Sequence, residues 1–163
     1  MSDRITAWFE LPSNMECKED VICKRIWETN PKLISYSQGY WHFIGGGLCT
    51  HIVDEGLPGY AGIFIWDSSG IIYEPSKEST QIRRFIKEIC NVFGTNEVWY
   101  SSELGLDYLE EFADPYTDLE FDWKSVVQKK SAELKDLYEK QRKGEDVTWF
   151  ADKIFHHDDF WDL

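Results

Sequence analysis

The chain has 163 residues, 42% hydrophobic and 29% charged, which suits one folded domain with a real core and argues against overall disorder. Its formal net charge of −13 repels nucleic acid and anionic membrane surfaces, so neither is expected as a direct partner, and a basic protein is favoured instead. Apolar runs such as Ala61 to Trp66 fall far short of the ~20 residues a spanning helix needs. With no secretory leader pattern at the start, the expectation is a cytoplasmic protein.

Ile5 to Leu11 alternates loosely and predicts a first strand. Ser13 and Glu16 form an S-x-x-E capping box, which predicts a helix from there to about Trp27, with Met15, Ile22 and Ile26 on one face and Asn30-Pro31 ending it. Leu33 to Tyr36, Tyr40 to Ile44 and Leu48 to Val53 are short strand-like runs, the last two separated by Gly45-Gly46-Gly47. Tyr60 to Trp66 and Ile71 to Glu74 flank Asp67-Ser68-Ser69-Gly70, a hairpin signal.

A second helix is predicted after Pro75-Ser76. Ile82, Phe85, Ile86, Ile89 and Phe93 make the clearest amphipathic stripe in the chain, and Gly94 suits the residue just past its end. Glu97 to Ser101 reads as another strand. The order β-α-β(several)-α-β predicts an α+β domain in which a mainly antiparallel sheet packs with two helices. A ferredoxin-like core with extra hairpins is one candidate topology. Trp123 to Lys143 adds a C-terminal helix, with Val126, Val127, Leu134, Leu137 and Tyr138 as its docking face. The whole, residues 1–163, is read as a single domain: a β-rich core over 1–106, then an acidic-aromatic segment, this helix and an acidic tail over 107–163.

The acidic-aromatic segment is the most distinctive part. Asp107 to Trp123 holds Asp107, Glu110, Glu111, Asp114, Asp118, Glu120 and Asp122 with no Lys or Arg, and threads Tyr108, Phe112, Tyr116, Phe121 and Trp123 between them. Carboxylates repel one another, so such a gathering needs a use or a basic neighbour. The basic helix that follows could neutralise it within the molecule, although exposed pairs of that kind stabilise little. Residues 107–163 still keep eight basic against sixteen acidic side chains. Tyr and Trp combine apolar area with a polar tip, which suits a surface covered by another macromolecule.

These features predict an acidic, non-enzymatic inhibitor or immunity-type protein that occludes a basic surface of a nuclease, defence effector or toxin. Its carboxylates would stand in for phosphates, as in an anti-restriction, anti-CRISPR or toxin-neutralising protein. The candidate partner-binding residues are Tyr108, Glu110, Glu111, Asp114, Tyr116, Asp118, Glu120, Asp122 and Trp123, with Asp158, Asp159 and Trp161 as a second patch. No catalytic residue, metal or cofactor is assigned.

The rival is a small enzyme or ligand-binding protein using His42, Cys49 and His51. In a regular strand residues 49 and 51 share one face, so a thiol–imidazole pair is conceivable there, next to a glycine-rich loop. Gly45-Gly46-Gly47 lacks the following Lys-Ser/Thr of a phosphate loop and reads as a turn or bulge. His156-His157-Asp158-Asp159 offers metal-ligand types, but adjacent side chains cannot all converge on one ion. Cys17, Cys23, Cys49 and Cys90 show neither CxxC pairing nor scaffold density and read as reduced thiols.

Overall fold

The computed structural model describes residues 4–66, 76–102 and 155–163, with 124–125, 128, 132, 136–137, 139–140 and 143–146 between them. In chain order its elements are β1 (Ile5–Glu10), α1 (Glu19–Thr29), β2 (Ile34–Ser37), β3 (Tyr40–Phe43), β4 (Cys49–Val53), β5 (Tyr60–Ile65), α2 (Lys77–Val92), β6 (Val98–Ser102) and β7 (Phe155–Asp158). Five strands form one sheet in the order β4-β5-β1-β6-β7, and β2 pairs with β3 in a separate ribbon. Every pairing is antiparallel.

The path β1-α1-β4-β5-α2-β6, with β1 and β5 central, is the split βαβ arrangement expected of a ferredoxin-like core. Two additions elaborate it. The β2–β3 hairpin is inserted after α1 and turns through Gln38 and Gly39, whose φ values of +54° and +83° match the primed turn that a twisted ribbon prefers. Strand β7 extends the sheet beyond β6.

Alternation along the strands decides what each face buries. Ile5, Ala7 and Phe9 of β1, Ala61, Ile63 and Ile65 of β5, and Val98 and Tyr100 of β6 join one core with Ile22, Cys23 and Ile26 of α1 and Ile82, Phe85, Ile86 and Ile89 of α2. The opposite face carries Thr6 and Trp8 beside Trp99 and Ser101, and the Trp8 indole donates to the Ser101 hydroxyl at 2.9 Å. Trp8 and Trp99 are also buried, so the sheet is covered on both sides. Lys124 lies over the Tyr60 ring at 5.4 Å, which puts the start of the C-terminal helix against this second face.

Helix α2 begins as its sequence requires. Ser76 accepts from the Ser79 amide while the Ser79 hydroxyl accepts from the Ser76 amide, and Gly94 at φ +74° ends the helix. Helix α1 does not start at Ser13. Its first residue is Glu19, and its N-cap, Lys18, makes no side-chain cap. Glu16 is taken by an ion pair with Lys18 at 2.8 Å, and the Cys17 thiol is tied to the Asp54 and Tyr60 carbonyls. The Glu19 amide is capped from a distant loop, by the Asp54 carboxylate at 3.0 Å.

Of the C-terminal helix, Lys124, Ser125, Gln128, Ala132, Asp136, Leu137, Glu139 and Lys140 are helical, and the Glu145 amide closes on the Lys140 carbonyl across Gly144. The expected strand at Ile71 to Glu74 lies outside the described residues. Among the described residues no helix is long and apolar enough to cross a membrane.

Candidate functional site

The C-terminal tail was expected as a solvated acidic patch, and the structure divides it. Residues 155–158 pair with β6, Tyr100 opposite His156 and Val98 opposite Asp158, so alternate side chains enter the core. Asp158 is 1% exposed. It takes two hydrogen bonds of 2.8 Å from the Arg83 guanidinium, one of 3.0 Å from the Tyr100 hydroxyl and one of 2.8 Å from the Phe160 amide. Asp162 holds the other side of Arg83 at 2.6 and 2.9 Å.

Burial alone would raise both carboxyls; the hydrogen bonds and charge of Arg83 outweigh it and hold them below the usual carboxylate range. Burial and the neighbouring Asp158 push the Tyr100 hydroxyl well up, so it stays a neutral donor. Asp158 is therefore no outward contact in this structure, because a buried guanidinium needs it as counter-ion. Asp159 and Trp161 do face solvent, Trp161 at 44%, and the Asp159 carboxylate accepts from the Trp161 amide at 3.2 Å. Tyr108, Glu110, Glu111, Asp114, Tyr116, Asp118, Glu120, Asp122 and Trp123 lie outside the described residues.

The geometry separates Cys49 from His51. A register shift between them pairs Cys49 with Ile65 and His51 with Phe64, so the two do not share a face. Cys49 enters the core, where burial pushes its thiol up to about 12, and His51 stacks on the Phe64 ring with centroids 4.9 Å apart. A thiol held protonated and turned from its intended base is no activated nucleophile. His42 lies on the hairpin, 3.4 Å from the Ser37 carbonyl, and Trp41 donates to Asp20 at 3.1 Å. The space between Trp41, Phe43 and His51 is about 10 Å³, room for one water at most.

The two tail histidines are likewise engaged. His157 meets Glu97 at 2.7 Å and packs on Trp99, and His156 stacks on Tyr100. Among the described residues no group of three or more His, Cys, Asp or Glu is placed to hold a metal ion. The triple glycine serves the backbone. Gly45 and Gly47 take φ of +90° and +60°, and a Cβ on Gly46 would stand 2.7 Å from the Phe85 ring.

Sequence reasoning missed Arg83 altogether. One signal was available: Arg83 lies on the strip of α2 that also carries Ser79, Ile86 and Cys90, all buried, so a lone cation there needed a carboxylate brought to it. Comparison with protein-family models, curated proteins and solved structures finds no match to this chain.

Proposed function

We propose that this protein is an acidic, non-enzymatic binding protein of inhibitor or immunity type, which occludes a basic surface of a nuclease, defence effector or toxin. The observation that carries the reading is the surplus of negative charge: thirty carboxylates against seventeen Lys and Arg leave a net −13 even after one-to-one pairing. Seven of the carboxylates fall between Asp107 and Trp123 with no basic residue among them.

The described ion pairs do little to reduce that surplus. Arg83 consumes two carboxylates of the tail, and Lys18 and Lys140 pair with near neighbours, Glu16 and Asp136. Complementary potential would steer such a protein to a cationic groove and set its choice of partner more than its raw affinity. Interleaved Tyr108, Tyr116 and Trp123, with exposed Trp161, supply the anchoring area. Against the rival, Cys49 and His51 face different ways, and the space beside His51 among the described residues is about 10 Å³.

The test starts from a partner captured from the native host and then purified. Affinity for it should fall steeply between about 50 and 200 mM salt, where exposed charges become screened. Glu111→Lys with Asp114→Lys should weaken binding at least tenfold while leaving the circular dichroism spectrum unchanged. Affinity indifferent to both manipulations would exclude an electrostatic inhibitor.

A further inference from the structure

A groove of about 780 Å³ lies between the first turns of α2, residues 30–33 after α1, and the glycine loop after β3. That volume suits a small organic ligand. Its floor is apolar: Leu33 and Phe85 are buried beneath it, and Ile44, 46% exposed, lines it. Its rim is basic. Lys77 and Arg84 stand two turns apart on one side of α2, with Thr80 and Gln81 between them, and Lys32 enters from the loop after α1.

The sign of this rim opposes the rest of the molecule. In a chain with thirty acidic and seventeen basic residues, three cations line one groove, and Glu88 is the one carboxylate among its described lining residues. Among the described residues none of the three cations takes part in an ion pair. At the chain's overall ratio of acidic to basic residues, carboxylates would outnumber cations in such a lining. Three basic groups left together above an apolar floor match the two halves of an anionic ligand with a flat apolar body.

We propose that this groove binds a small organic anion, a carboxylate or phosphate ester. Its apolar body rests on Leu33, Ile44 and Phe85, and its anionic group meets Lys77 and Arg84, with Lys32 at the open side. None of the groove's described lining residues belongs to the acidic segment, and the site does not depend on the inhibitor reading.

Two fluorescent probes separate the halves of the proposal: 1-anilinonaphthalene-8-sulfonate, an apolar body with an anion, and N-phenyl-1-naphthylamine, a similar body without one. The sulfonate should bind at one site and shift the Ile44 methyl resonances. Lys77→Gln with Arg84→Gln should weaken it at least tenfold and leave the neutral probe unchanged, whereas Ile44→Ser should weaken both. Lys18→Gln, remote from the groove, should alter neither. Equal sulfonate affinity in the double variant, or resonance shifts mapping away from Ile44 and Phe85, overturns the proposal. Tighter binding of a synthetic 107–123 peptide than of the sulfonate at this groove also overturns it, in favour of an acidic segment from a second copy.

Discussion

Arg83 on the second helix holds Asp158 on the last strand through two parallel hydrogen bonds of 2.8 Å, across 75 residues of sequence. The pair is sealed, with side-chain exposures of 6% and 1%, and Tyr100 and Asp162 complete its hydrogen bonding. A fork-to-fork guanidinium–carboxylate contact is the geometry best able to offset the desolvation of both ions. It fastens the end of the chain to the helix layer, and so decides where the tail of an acidic protein goes.

Arg83→Met should therefore be among the most destabilising single changes. It leaves Asp158 buried without its cation, a loss of about 3–5 kcal/mol. Urea unfolding followed by tryptophan fluorescence measures this. A companion Arg83→Met/Asp158→Leu/Asp162→Asn variant should regain part of the loss, since no carboxylate of the cluster is then left without its cation, while the Tyr100 hydroxyl and Phe160 amide still lose their acceptor.

Acid should act through the same cluster. Asp158 and Asp162 are depressed in the folded state, so their contribution is complete above the unfolded carboxyl value of about 3.9 and is lost as pH falls through the folded values. Unfolding midpoints should drop below about pH 4 through this cluster. The drop should be shallower in Asp162→Asn, which gives up one titrating partner while Asp158 keeps Arg83. A parallel acid slope in that variant would place the sensitivity elsewhere.

The thiols should rank by burial. Burial drives Cys23 and Cys49 to about 12 and raises Cys90 further, whereas Cys17 is only partly covered and less shifted. An aromatic disulfide reagent at about pH 8 should label Cys17 first and reach the other three only after denaturant is added. Rapid labelling of native Cys49 would contradict its placement in the core.

Gly62 should not accept a side chain. A Cβ there would stand 2.4 Å from the Thr6 methyl and 3.2 Å from the Trp8 ring, both on the adjacent central strand. Gly62→Ala should cost about 1–3 kcal/mol through overpacking. Gly59→Ala is the useful contrast: no atom lies within 4 Å of its Cβ, so its cost is the backbone strain of φ +81° alone.

Much of the architecture was legible because local period and global burial agree. The stripe of Ile82, Phe85, Ile86 and Ile89 is helical by spacing, and it is the face that α2 buries. The runs at Ile5, Tyr60 and Glu97 became β1, β5 and β6 within a residue or two. Three departures from a purely local reading share a cause, contacts distant in sequence. The S-x-x-E motif at Ser13 failed as a cap because Lys18 takes Glu16 while Asp54 caps Glu19 from elsewhere. A register shift turned Cys49 away from His51. Phe155–Asp158 read as acidic tail because its strand character comes from pairing with β6 and from Arg83.

By itself the sequence determined the fold class, the second helix and the excess of carboxylates, since these depend on periodicity and composition, which any segment carries alone. Only the tertiary structure decided which of those carboxylates are enclosed and which way Cys49 and His51 point. Burial and ion pairing are set by what the folded chain brings alongside, and the cation that enclosed Asp158 came from a helix 75 residues away.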